Sequence, residues 1–136
     1  MNPVRFIQLL GMPNLALLLF LTPLMNGELL AQEDPMLFSW ASVYLIGLWG
    51  LVYIFVAPHW QKLWPVLLVF VAEKVLFVWG WINWMSENHE RLPALIEQDV
   101  MVGLFYSAYG VWDGFCAVVF LFFAFKAMGL NKAEGK

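Results

Sequence analysis

Four long apolar stretches, separated by short polar connections, dominate the pattern of hydrophobic and polar positions along the chain. They cover residues 6–25, 37–57, 64–84 and 101–127. Each is close to the roughly 20 residues that a helix needs to cross the hydrocarbon core of a bilayer. We therefore predict an all-α integral membrane four-helix bundle that forms a single transmembrane domain over residues 1–136.

The first stretch is the least regular, because Pro13 lies inside it and Pro23 lies near its far end. A proline removes a backbone hydrogen bond and kinks or restarts a helix. The stretch is therefore either one kinked helix or a short interfacial piece followed by a helix whose first turn holds Pro13. Arg5 precedes the stretch as in a signal peptide, but no small-x-small cleavage site follows. We therefore expect a retained first helix.

Lysine and arginine residues fall mainly on the side of the predicted bundle that holds both termini and the middle connection. This side contains Arg5, Lys62, Lys126, Lys132 and Lys136. The other side contains Arg91 and seven acidic residues, which are Glu28, Glu33, Asp34, Glu87, Glu90, Glu97 and Asp99. Because cytoplasmic segments carry the excess of lysine and arginine, we expect both termini to face the cytoplasm and the acidic connections to face the periplasm or exterior.

The composition indicates that the outer surface of the predicted bundle faces lipid. Apolar residues make up 62% of the chain and charged residues 12%, whereas a soluble domain carries about 25% charged residues. The net charge of −3 comes with no basic run and no glycine-rich phosphate loop, so nucleic acid is not an expected partner. The expected partners are the lipid bilayer and other membrane protein subunits or further copies of this chain.

The residues that usually hold metals or cofactors are sparse. Cys116 is a single cysteine in an apolar stretch, so it forms neither an intrachain disulfide nor a C-x-x-C redox pair. His59 and His89 fall on opposite sides of the predicted membrane and cannot ligate one haem together. No H-E-x-x-H motif and no Cys/His cluster occurs. We therefore predict no metal, no cofactor and no catalytic residue.

Three ionisable residues lie inside the predicted spans, namely Glu73, Lys74 and Asp113. A charge at the bilayer centre costs at least about 2.5–3.5 kcal/mol on insertion scales, so such residues pair or line a cavity. Lys74 is the eleventh of 21 residues in the third stretch, and Asp113 is the thirteenth of 27 in the fourth. Because these stretches are joined by a short connection and should be antiparallel neighbours, we predict a buried Lys74–Asp113 ion pair.

Glu73 points about 100° away from Lys74 around the same helix, so we expect it to face another helix rather than share the direction of Lys74. Its candidate partners are Ser42, Tyr44, Tyr53, Tyr106, Ser107 and Tyr109. Tyr106, Tyr109 and Asp113 are spaced by three and four residues, which predicts a polar stripe that runs inward from the outer surface. The cluster either lines a polar cavity entered from outside, for ligand binding or proton relay, or fixes the register of the helices.

Tryptophans occur near both ends of the predicted helices, where amphipathic indole rings favour the membrane interface. These are Trp40, Trp81 and Trp84 on the outer side and Trp60 and Trp64 on the inner side. Trp49 and Trp112 lie deeper, where they either line a pocket or pack in the core.

Several of these residues together resemble a known group of proteins. They are Asn14, Pro23, the Gly47–Tyr53 run with Gly50, Pro58, Trp64-Pro65, Lys74 and Asp113. Over residues 12–127 the chain is similar to a widespread group of bacterial four-helix membrane proteins, loosely DoxX-like. The resemblance implies a four-helix bundle in the bacterial inner membrane, and some DoxX-like proteins are tied to quinone-linked oxidoreductase systems. Glu73 beside the lysine departs from the usual pattern, so no catalytic role is carried over.

Three functions fit these observations. The first is an accessory or structural subunit of a larger inner-membrane complex, possessing no catalytic activity of its own and acting within a respiratory or oxidoreductase assembly. The alternative is a small transporter or membrane ligand-binding protein with a mid-membrane polar cavity, in which the site residues are Glu73, Lys74, Asp113, Tyr106, Tyr109 and Tyr53. The third is an intramembrane enzyme that acts on a lipid or quinone through carboxylate and tyrosine proton transfer.

Overall fold

The computed structural model describes residues 2–18 and 26–134, and every regular element in this part of the chain is helical. The helices are α1 (Pro3–Ala16), α2 (Gly27–Glu33), α3 (Trp40–Val56), α4 (Trp64–Asn88), α5 (Leu92–Gln98) and α6 (Val100–Glu134). Short 3₁₀ turns follow α3 at Ala57–His59 and α4 at His89–Arg91. The predicted all-α class is confirmed.

Three helical segments in the described part are long and apolar enough to cross a membrane. They are Trp40–His59, Trp64–Gln98 and Val100–Ala133. They correspond to the second, third and fourth predicted stretches, which supports the prediction of a membrane protein. The first predicted stretch, 6–25, is described only as far as residue 18, and Pro23 lies outside the described residues.

The helices extend beyond the predicted boundaries. The third stretch was predicted to end at residue 84 and the fourth to cover 101–127, whereas α4 ends at Asn88 and α6 runs over Val100–Glu134. At 1.5 Å per residue, α4 is about 38 Å long and α6 about 52 Å, against a hydrocarbon core of about 30 Å. Hydropathy marks where the chain leaves the apolar core, but a helix continues into water as long as its backbone hydrogen bonds are made.

The connections on the acidic side are helical as well, although the sequence predicted short polar segments there. The Asn26 side chain accepts a hydrogen bond from the backbone N–H of Leu29 at 3.0 Å and so caps α2. This cap places Leu29 and Leu30 in the core, and α5 likewise buries Leu95. The buried leucines, rather than the polar residues between them, decide that these connections fold back onto the bundle.

Helix α1 begins at the Asn2 cap, whose side chain accepts from Val4 N–H at 3.0 Å, and passes through Pro13 to Ala16. The alternative in which a helix begins with Pro13 in its first turn is therefore wrong, and the kink of the other alternative stays a prediction. Because proline has no N–H, the helix lacks one internal hydrogen bond at this position.

The bundle is built from two close helix pairs, α1 with α3 and α4 with α6. In the first pair, Gly11 and Gly50 allow the backbones to touch. A Cβ atom on Gly11 would lie 2.6 Å from the Gly50 carbonyl oxygen, and one on Gly50 would lie 2.7 Å from the Gly11 carbonyl oxygen. Small residues at membrane helix interfaces allow this kind of approach, which brings α1 close to the rest of the bundle.

Two apolar clusters form the core. The Phe120 cluster includes Ile7, Leu10, Tyr53, Phe70, Cys116 and Phe120. The Phe38 cluster includes Leu17, Leu30, Phe38, Ile46, Trp84, Tyr106 and Tyr109. The buried polar residues Asn14, Lys74 and Asp113 lie between the two clusters on α1, α4 and α6 respectively. The core is therefore divided at mid-bundle by one polar layer.

Contacts at the two ends fix which connections share an end. At the basic end, the Asn131 side-chain amide donates to the Gln61 carbonyl oxygen at 3.0 Å, and the Phe6 and Phe123 ring centroids are 6.2 Å apart. At the acidic end, Arg91 forms a 2.8 Å ion pair with Glu33. The start of α1, the turn after α3 and the end of α6 therefore lie together, opposite α2 and α5.

Candidate functional site

Lys74 is the centre of the polar layer. Its Nζ atom lies 2.7 Å from Asp113 Oδ1, 3.6 Å from Glu73 Oε1 and 3.5 Å from Asn14 Oδ1. The Lys74 side chain is only 3% exposed. The predicted contact between Lys74 and Asp113 is confirmed, and the two longer distances describe weaker electrostatic contacts.

The register of α4 against α6 brings Lys74 and Asp113 to one depth. Trp81 on α4 packs against Gly110 on α6, where a Cβ atom would come within 2.2 Å of the indole ring. The Trp81 Nε1–H group donates to the Tyr106 carbonyl oxygen at 2.7 Å. Because the Trp81 indole fills the space above Gly110 and donates a hydrogen bond to the backbone of α6, it fixes the register of α4 against α6 close to Asp113.

Glu73 contacts two partners. Its Oε2 atom accepts a hydrogen bond from the Tyr53 hydroxyl on α3, so Tyr53 is the partner on a second helix among the candidates from the sequence. The expectation that Glu73 does not share the direction of Lys74 is wrong, because its Oε1 atom lies 3.6 Å from Lys74 Nζ. The backbone bonds diverge by about 100°, but both side chains are long enough to turn toward the same space.

The two tyrosines of the predicted stripe have different surroundings. Tyr106 packs in the Phe38 cluster, and its hydroxyl donates to the Leu30 carbonyl oxygen of α2 at 3.3 Å. Tyr109 lies beside the charged residues, and its buried hydroxyl has no hydrogen-bond partner in the described structure. The structure therefore brings Tyr109 to Asp113 and directs Tyr106 toward α2.

A cavity of about 260 Å³ lies next to these charges, between α1 and α6. Its polar lining consists of Asn14, Glu73, Lys74, Tyr109 and Asp113. Its apolar lining consists of Pro13, Leu17, Phe38, Ile46, Phe77, Phe105, Ala108 and Trp112. Of the six site residues that the sequence suggested, Glu73, Lys74, Tyr109 and Asp113 line this cavity and Tyr53 and Tyr106 do not, and most of the wall is apolar.

The exposed residues of this lining are Ala108 and Trp112, which both lie within the candidate membrane span Val100–Ala133. The cavity therefore reaches the exposed side of α6, and the entry from the outer end that the sequence predicts stays a prediction. Of the two deep tryptophans, Trp112 lines the cavity, and Trp49 packs edge-on against Phe70 with 6.0 Å between the ring centroids.

Three buried polar atoms of the lining residues have no hydrogen-bond partner in the described structure. They are Asn14 Nδ2, Glu73 Oε1 and the Tyr109 hydroxyl. An unsatisfied buried polar group costs about 1–3 kcal/mol, and such groups in a native structure call for an explanation such as water or a ligand. Together they offer a donor, an acceptor and a hydroxyl to anything that enters.

Asn14 is the member of the site that sequence reasoning missed. It is 5% exposed and touches Lys74 across the bundle. The available signal was an amide side chain inside an apolar stretch, since membrane helices bury asparagine only where it meets a polar partner.

No group of three or more His, Cys, Asp or Glu residues within residues 2–18 and 26–134 is placed to hold a metal ion. The arrangement can instead bind a polar group through hydrogen bonds and charge while surrounding an apolar body with rings. Comparisons with protein-family models, with curated proteins and with solved structures find no match for this chain.

Proposed function

We propose that this chain is a four-helix inner-membrane protein that binds a small amphipathic ligand in the cavity between α1 and α6. The observation that carries the proposal is the cavity itself, which joins polar atoms of Asn14, Glu73 and Tyr109 that make no hydrogen bond in the described structure to an apolar wall at mid-bundle. Binding sites for small molecules have this composition, with mostly apolar walls and a few convergent polar groups. The polar end of the ligand meets the charges, and its apolar part meets the rings.

The topology of the proposal rests on the separation of charge between the two ends. The basic end carries Lys62 in its turn and Lys126 and Lys132 at the end of α6, and the acidic end carries Glu33 and Arg91. Lysine and arginine mark the cytoplasmic side. We take the stretch 6–25 as the first of four spans, so both termini face the cytoplasm.

The second candidate function is an accessory or structural subunit of a larger membrane complex, with the DoxX-like resemblance as its background. The Lys74–Asp113 ion pair at 2.7 Å favours it, because one charge-compensated contact is enough to hold α4 against α6. The pair alone does not account for Glu73 or for a cavity that reaches the lipid-facing surface. For this reason ligand binding is the stronger proposal.

A tryptophan at the mouth of the cavity tests ligand binding without changing any charge. Ala108→Trp fills the opening, and Val118→Trp places the same ring on the exposed side of α6 away from the cavity. Both proteins and the wild type are purified in nanodiscs, and bound small molecules are extracted and identified by mass spectrometry. We expect a bound molecule in the wild type and Val118→Trp that is lost from Ala108→Trp. A molecule retained equally by all three contradicts the proposal.

The same purification tests the subunit function. A stoichiometric larger partner that remains with Ala108→Trp supports the subunit, since that interface would not need the cavity. A chain that is isolated without a protein partner in mild detergent counts against it.

A further inference from the structure

The charges around the cavity do not balance. Glu73 and Asp113 contribute two carboxylates and Lys74 one ammonium, and these side chains are 8%, 10% and 3% exposed. With all three ionised, the cavity carries a net charge of −1. An uncompensated charge in the membrane interior costs several kcal/mol, and either a proton on one carboxyl group or a bound cation removes it.

The geometry locates the uncompensated charge on Glu73. Lys74 lies 0.9 Å closer to Asp113 than to Glu73, at 2.7 Å against 3.6 Å, and so pairs mainly with Asp113. Glu73 Oε2 receives only the neutral hydroxyl of Tyr53, and Oε1 has no hydrogen-bond partner in the described structure. A ligand that donates a charged hydrogen bond to Glu73 Oε1 completes the site.

The apolar wall also favours a cation. Five aromatic rings line the cavity, those of Phe38, Phe77, Phe105, Tyr109 and Trp112. The face of an aromatic ring attracts a cation and repels an anion. Lys74 Nζ already lies 5.7 Å from the centroid of Phe77 and 5.7 Å from that of Tyr53, so positive charge sits against rings in this part of the bundle.

We infer that the ligand, on the proposed function, is an organic monocation: a protonated amine on a small apolar or aromatic body. The amine binds at Glu73, and the apolar body lies among the rings and enters from the lipid through the opening at Ala108 and Trp112. The cavity volume of about 260 Å³ lies just below the 300–1,000 Å³ typical of ligand sites. The ligand is therefore limited to about a single ring with a short chain.

Three probes of similar shape test the charge of the ligand: phenethylammonium, 2-phenylethanol and phenylacetate. Their binding to the protein in nanodiscs is measured by calorimetry at neutral pH, with empty nanodiscs subtracted to remove partition into lipid. We expect the ammonium probe to bind at least tenfold more tightly than the alcohol, and the carboxylate probe to bind most weakly.

Glu73→Gln is the decisive variant, because glutamine still accepts a hydrogen bond from Tyr53 and leaves the Lys74–Asp113 pair intact. We expect it to abolish the preference for the ammonium probe while the alcohol binds as in the wild type. Glu90→Gln removes an exposed carboxylate outside the cavity and should retain the preference. Phe77→Leu, which removes a ring but no charge, should reduce it.

The outcomes separate the two proposals. If the alcohol binds as tightly as the ammonium probe and Ala108→Trp blocks both, the cavity binds ligands but the inference about charge is wrong. If no probe binds differently to the wild type and to Ala108→Trp, the proposed function itself fails. If sodium, but not potassium at equal ionic strength, displaces the ammonium probe, the site selects a metal cation and the inference is overturned.

Discussion

Lys74 Nζ lies 2.7 Å from Asp113 Oδ1 at the level where the Phe38 cluster ends and the Phe120 cluster begins. The pair joins the two longest helices of the described chain, α4 and α6, and Glu73 and Asn14 are arranged around it. The same contact therefore closes the bundle and forms the polar wall of the cavity. Its two roles can be separated by substitutions that change one group at a time.

Loss of Lys74 should destabilise the protein more than loss of Asp113. Lys74→Met leaves two buried carboxylates without a cation, and breaking a buried pair costs about 3–5 kcal/mol. Asp113→Asn leaves an ammonium that Glu73, at 3.6 Å, can still compensate, so we expect a smaller loss. Thermal unfolding in detergent, followed by circular dichroism, measures the difference. Equal losses would mean that Glu73 does not share the charge of Lys74.

The contact between Gly11 and Gly50 should tolerate no side chain. Gly50→Ala places a methyl group 2.7 Å from the Gly11 carbonyl oxygen, and overpacking of this kind costs about 1–3 kcal/mol. Gly129→Ala is the matched control, since a Cβ atom there meets nothing within 4 Å and alanine favours the helix. We expect a lower unfolding temperature for Gly50→Ala and an unchanged or higher one for Gly129→Ala. A neutral Gly50→Ala would contradict the close approach of α1 and α3.

Removal of the Tyr53 hydroxyl should weaken the bundle through Glu73. Tyr53 is fully buried and donates to Glu73 Oε2, and hydrogen bonds to charged groups contribute about 1.5–3 kcal/mol. We expect Tyr53→Phe to lower the free energy of unfolding by about this amount. Tyr44→Phe, at a tyrosine that is 57% exposed, should have little effect. In the Glu73→Gln background the cost of Tyr53→Phe should fall, because the acceptor is then neutral.

The contact between Lys74 and Asp113 is the part of this site that the sequence predicts. Counting residues from the ends of two apolar stretches gives their depth, and a short connection makes the helices neighbours, so their contact follows from the sequence. The position of Asn14 does not follow, because the approach of α1 depends on Gly11 and Gly50 meeting backbone to backbone. Helices α2 and α5 do not follow from the sequence either, because their burial depends on a few leucines within polar segments. These segments are too short to show the hydrophobic period of a helix.

The orientation of the chain can be read from two exposed positions at opposite ends of the bundle. Cys116 is buried and is replaced by alanine, so that Lys62→Cys or Glu90→Cys provides the accessible thiol. Because lysine and arginine collect at the end that holds Lys62, we expect a membrane-impermeant maleimide to label Glu90→Cys in intact cells. Lys62→Cys should react only after the membrane is permeabilised. The reverse pattern would mean that the bundle has the opposite orientation, with both termini outside. Labelling of both positions in intact cells would mean that the chain inserts in two orientations.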